Sequence, residues 1–253
     1  MNHIIDRREF LVWTGAMTLL AGSGSVGFGA ELSGANLLEQ NAASGRYTYL
    51  VFYRNDDSLT RRMESAVESH VKDHADRAAW QKVHVYSKSE SAVVEKFDAR
   101  RLPLPSVIGV APNGAVTCIY HRSVSSTQLS RSILSPRYAD VVLALQNGKI
   151  AVVSLLPSDG ARPSSAAERF LDSEDFSDRS EDIRVSAKDP AEQDFFSRVK
   201  VSTDLEQPKT ILFAPPGRHL GTFDDDATFD VLAEKVHASG SCNCEKCKKS
   251  HGR

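Results

Sequence analysis

The sequence predicts an α/β fold of two similar units in tandem, each a central mixed sheet flanked by helices. Three observations carry that expectation. Short runs of branched and aromatic residues alternate with segments whose apolar residues recur at helical spacing. An Asn113-Gly114 pair sits between two apolar runs, the strongest short-range signal for a hairpin. After Gly148 the same order of elements begins again.

Residues 47–53, YTYLVFY, have the composition of a buried strand and stop at Arg54-Asn55-Asp56-Asp57, where Asn and Asp favour a turn and a helix cap. Leu59, Met63, Val67 and Val71 then recur every fourth residue, giving a helix with one apolar stripe. A second strand is expected at 82–86, where Val83 and Val85 alternate with polar neighbours, and a helix at 91–101 ending before Pro103. The hairpin follows, with strands at 107–110 and 115–120 around Pro112-Asn113-Gly114. The last helix of this unit is placed within 126–146, broken or bent at Pro136 and closed by Gly148.

The restart supplies an apolar strand at 150–156, a helix at 164–171, a weak strand at 182–185 and a helix at 191–199. A proline, Pro208, again introduces a strand at 211–214, a Pro-Pro-Gly turn and a strand at 220–223. Asp224 to Asp226 suit the start of a closing helix that buries Phe229, Leu232, Ala233 and Val236. A single larger sheet is the contrary arrangement, and the restart argues against it.

This order of elements resembles the thioredoxin fold. The likeness is sharpest from Glu95-Lys96-Phe97 through Leu104-Pro105-Ser106-Val107 to Pro112-Asn113-Gly114, where that family has a helix, a loop, a cis-proline opening a strand, and a glycine turn. The resemblance implies cis-proline candidates at Pro105 and Pro208, and a face beside them that holds an extended peptide by its backbone. It also implies a redox pair of cysteines, two residues apart, where the first strand meets the first helix. Here those positions read Asp56-Asp57-Ser58-Leu59-Thr60 and Leu156-Pro157-Ser158-Asp159-Gly160, with no thiol in either. Carboxylates cap a helix but exchange no disulfides, so neither catalytic nor cofactor-binding residues are expected inside the units.

The 253 residues carry 31 basic and 33 acidic side chains, and the net charge of −2 argues against a nucleic-acid partner. With 41% hydrophobic and 25% charged residues, a packed core is feasible. Arg7-Arg8-Glu9-Phe10-Leu11, followed by an apolar Gly/Ala-rich stretch, resembles a bacterial twin-arginine export signal, with small residues for cleavage at Ser33-Gly34-Ala35. Residues 1–35 are therefore assigned to export, which places the protein in the periplasm or otherwise outside the cytoplasm. Gly22, Gly24, Gly27 and Gly29 interrupt this stretch, and no other apolar run approaches the roughly 18 residues of a membrane span, so none is expected after signal removal. The units are bounded at 45–148 and 149–239, and residues 240–253 form a tail.

That tail holds Cys242, Cys244, Cys247 and His251, three soft thiolates and an imidazole in one short loop. Such donors suit zinc or copper(I). Thiol redox chemistry through the same cysteines, or no specific role, are the competing readings. Elsewhere, Cys118 reads as a buried apolar residue, His70 and His74 as a solvated helix face, and the acidic stretch 172–182 as a mobile surface loop. The functional expectation is an exported, non-catalytic binding protein with a protein or peptide partner and a metal-binding tail. The alternatives are an extracytoplasmic thiol oxidoreductase using the tail cysteines, or a structural module.

Overall fold

The computed structural model describes residues 33–240. Strand β1 (Tyr47–Tyr53) is apolar but for Thr48, because both of its edges and both of its faces are covered. It pairs in parallel with β2 (Ala78–His84) and antiparallel with β3 (Ser106–Val110), which pairs in turn with β4 (Val116–His121). The order β2-β1-β3-β4 is repeated as β6-β5-β7-β8 by β5 (Ile150–Leu156), β6 (Ser180–Ser186), β7 (Lys209–Ala214) and β8 (Arg218–Phe223), with the same parallel and antiparallel pairings. Two mixed four-stranded sheets flanked by helices, two tandem thioredoxin-like domains, are the expected architecture.

The period of two along β1 sends Leu50 and Phe52 to one face and Tyr47, Tyr49 and Val51 to the other. Helices α1 (Gly34–Ala43) and α3 (Ser91–Lys96) cover the first face with Leu38, Val93 and Val94. Helices α2 (Ser58–Asp73) and α4 (Ser126–Ser132) cover the second with Met63, Val67 and Leu129. In the second unit α6 (Ser165–Asp172) and α8 (Phe229–Ala238) bring Phe170, Leu232 and Val236 to one face. Helices α5 (Pro136–Gln146) and α7 (Gln193–Val199) bring Val141, Ala144, Phe195 and Phe196 to the other.

Pro136 divides the segment expected as one closing helix. With no amide hydrogen to donate and φ preset, it opens α5 as a new helix. Helix α5 places Ala139 in the core of the first unit and Val141 and Ala144 in that of the second. It precedes β5 as α1 precedes β1, and each connection turns on a positive-φ glycine, Gly148 or Gly45.

A second correspondence joins α1 and α5. The buried Glu90 carboxylate accepts the Gly34 amide at 2.9 Å, and the buried Glu192 carboxylate accepts the Arg137 amide at 2.9 Å. Each glutamate stands at the start of a helix, α3 or α7, and reaches across to neutralise an orphan donor at the start of another. Gly34 is tightly enclosed, since a Cβ would lie 3.1 Å from the Glu90 Oε2 and 3.2 Å from Val93.

Several boundaries differ from expectation. Strand β2 starts at Ala78, where parallel pairing with Tyr47 draws weak strand formers into the sheet. The left-handed conformation of Asp98 (φ 47°) ends α3 early, leaving only a single 3-10 turn at Ala99–Arg101. Strand β6 begins at Ser180, and Phe176 stacks on Phe170 at 4.1 Å, so the acidic stretch is tied to the core at its middle. The closing helix starts at Phe229, after a turn in which the Ala227 amide donates to the Asp224 carbonyl. The export segment lies outside the described residues, apart from the start of α1.

Burial pushes the Glu192 carboxyl above the usual carboxylate range, against the pull of Ser135 and the Arg137 amide. A group that binds its proton more tightly when folded adds stability as pH falls from above its folded pKa toward its unfolded value of about 4.3. Chemical denaturation of Glu192→Gln at stepped pH is expected to show this dependence removed. Glu192→Ala is expected to cost about 1–3 kcal/mol by leaving the Arg137 amide unpaired.

Candidate functional site

The site that the first unit offers lies at the carboxyl end of β1, where open α/β sheets present their ligand crevices. Residues 54–57 carry the chain from β1 to α2, and Asp57 caps the helix by accepting the Thr60 amide at 2.9 Å. That bond holds the Asp57 carboxyl below its ordinary value. The Thr60 hydroxyl donates to the Asn55 carbonyl at 2.8 Å. Asp57 and Thr60 stand at the helix start with two residues between them, and both are already engaged.

Facing them is the loop from Leu102 to Pro105, in which the Leu104–Pro105 peptide is cis. The Arg122 amide donates to the Pro105 carbonyl at 2.7 Å. The Ser106 hydroxyl donates its one hydrogen to the Pro103 carbonyl and therefore accepts from His121 Nδ1, each at 2.8 Å. This tie between β3 and the end of β4 holds the loop against the helix start. Between them is an open cleft of about 290 Å³ lined by Arg54, Asn55, Asp57, Thr60 and residues 102–105. Among the described residues the Leu104 main chain has no hydrogen-bond partner. At the rim, the Arg54 guanidinium lies 5.7 Å over the exposed Tyr86 ring, and Lys82 joins Asp56 at 3.1 Å to Glu64 at 2.9 Å.

The second unit differs at the same place. Register puts Lys209 opposite Leu155 as it puts Ser106 opposite Phe52, so Pro208 is the counterpart of Pro105. Pro208 is nevertheless not cis; the second cis peptide among the described residues is Pro215–Pro216. An X–Pro bond keeps the trans form, favoured by about 0.5–1 kcal/mol, unless its surroundings select the other. The Ala214-Pro215-Pro216-Gly217 turn does select it: the Gly217 amide bonds the Ala214 carbonyl at 2.9 Å around a cis-proline in the third position. The cap of α6, Ser164, is buried and meets Thr210 at 2.9 Å, whereas Asp57 is exposed.

Cys242, Cys244, Cys247 and His251 lie outside the described residues. Among the described residues no group of three or more metal-binding side chains converges. His70 is buried, not solvated: at 2% exposed it packs edge-on against Tyr49 at 5.5 Å and beside the His74 ring at 4.4 Å. Burial, with His74 nearby, lowers its pKa. Cys118 is buried as expected, beneath a glycine that makes space for it. A Cβ on Gly109 would lie 2.7 Å from the Cys118 sulfur.

No family model and no curated protein matches this chain. Solved structures similar to it include Fasciola hepatica thioredoxin, at 16% identity over 40% of this chain and 92% of that one, with a TM-score of 0.32. The first two thioredoxin domains of Saccharomyces cerevisiae Eps1p match at 13% identity over 83% of this chain and 98% of that one, with a TM-score of 0.31. Human ERp44 form II matches at 12% over 88% and 64%, with a TM-score of 0.37.

Burial raises the Cys118 thiol pKa, with weaker opposition from hydrogen bonds to Ser132 and the Gly109 backbone. Because the thiolate is the reactive form, Cys118 is expected to resist iodoacetamide in the native protein and to react fully in denaturant. Peptide mapping after timed alkylation reads the two states; rapid native labelling would contradict the burial.

Proposed function

We propose that this chain is an exported binding protein that receives an extended segment of a partner protein in the cleft beside Pro105. The observation that carries the reading is the pairing of a helix start whose Asp57 and Thr60 are both engaged with a loop whose Leu104 backbone is left unbonded. Free backbone groups on a fixed loop are what an extended peptide pairs with. The position that would carry thiols holds a carboxylate and a hydroxyl, which supports binding over disulfide exchange. Periplasmic or other extracytoplasmic placement follows from the twin-arginine pattern.

In the same reading, the tail residues Cys242, Cys244, Cys247 and His251 hold zinc or copper(I). The clustered thiols also support a second reading, an oxidoreductase whose tail cysteines replace the missing pair. Cleavage of the export segment lies upstream of Ser33, because Ser33 caps α1 and the Gly34 amide serves Glu90.

A permanently unfolded, carboxymethylated polypeptide is expected to bind the full chain, and Leu104→Asp to weaken that binding at least about fivefold without lowering the melting temperature appreciably. Equal binding by the variant would remove the cleft from the proposal. Native and denaturing mass spectrometry of the secreted protein is expected to show an N-terminus before Ser33 and one metal ion, lost in His251→Ala. Insulin reduction abolished by serine at Cys244 or Cys247 would favour the oxidoreductase instead.

A further inference from the structure

The two units enclose a second cleft, of about 790 Å³, on the opposite side of α2 from its cap. Its size lies within the range of small-molecule sites, and its walls come from both units, a common setting for ligands. Ile133, Leu134 and Pro136 supply an apolar floor where α4 gives way to α5. That floor is held in place: the Tyr47 hydroxyl donates to the Leu134 carbonyl at 2.9 Å and accepts the Leu134 amide at 3.1 Å. Such a wall is formed before any ligand arrives.

The charges around the cleft are unequally satisfied. Asp140 takes bonds from Asn113 at 2.9 Å and Arg137 at 3.2 Å, and Asp194 is paired with Arg198 at 2.6 Å. Arg77, exposed at the end of the cleft formed by the first unit, has no ion pair or side-chain hydrogen bond among the described residues. Beside it on the same wall, His74 spends Nδ1 on the His70 carbonyl at 2.9 Å, which leaves Nε2 for a further partner. One unpaired guanidinium next to an apolar floor suits a carboxylate, which its planar fork bonds in bidentate fashion. Two carboxylates nearby disfavour a doubly charged phosphate.

We propose that the cleft between the units binds a small molecule bearing one carboxylate on an apolar body, with Arg77 holding the carboxylate and residues 133–136 the apolar part. The site is separate from the one beside Pro105 and does not depend on it. Octanoate is the probe, titrated calorimetrically into the full chain, with octan-1-ol and octyl phosphate as comparisons. Octanoate is expected to bind at least about tenfold more tightly than either comparison. Arg77→Gln is expected to lose about tenfold, and Arg77→Lys less. Ala191→Trp, which fills the cleft from its exposed wall, is expected to abolish binding while thermal unfolding stays cooperative. Absent binding of octanoate at millimolar concentration, equal binding of octan-1-ol, or unchanged affinity in Arg77→Gln overturns the proposal.

Discussion

A buried carboxylate set against the first turn of a helix organises each half of this molecule. A carboxyl group is buried at lower cost where a hydrogen bond replaces one to water, and the exposed amides of a helix start supply it. Glu90 does this for α1 and Glu192 for α5. The consequence is positional: the helix that leads each unit is drawn against the helix that follows the second strand, and both lie on one face of the sheet. The leading helix then delivers the chain to the central strand through a turn that needs a glycine.

Because α5 is held in this way, it serves both units. Its apolar side reaches the second sheet, while Ala139 and the Tyr47–Leu134 bonds keep its start on the first. The cleft between the units is the space left where two helices meet at Pro136 without merging. Its apolar floor is a product of that junction, and Arg77 reaches it from the connection between α2 and β2.

The two carboxyl ends of the central strands have diverged within the shared frame. In the first unit a short turn leaves Asp57 exposed opposite a cis peptide, and the loop between retains unbonded backbone. In the second a longer connection from Leu156 to Ser164 buries the cap against Thr210, and the proline before the strand stays trans. Equivalent places in a repeated fold thus hold an exposed cap beside an open cleft in one unit and a buried cap in the other.

Central strands were legible from residue type alone, since β1 and β5 are buried almost throughout and are apolar but for Thr48 and Ser154; their observed limits match the expected ones. The hairpin at Asn113-Gly114 and the stripe of Met63, Val67 and Val71 were legible for the same local reason, although Leu59 at the head of that stripe stays 38% exposed. Three things were not: that α1 is a helix of the fold, that the helix after Pro136 packs on the second sheet, and that His70 is buried. Each depends on a partner distant in the chain, namely Glu90, Glu192 and Tyr49, and periodicity carries no information about such partners. The sequence by itself determined the order of elements and the absence of thiols at both helix starts, because these follow from local pattern and composition. Only the tertiary structure decided which X–Pro bonds are cis, where the clefts lie and that Arg77 stands without an ion pair among the described residues, because those outcomes are set by groups that folding alone brings together.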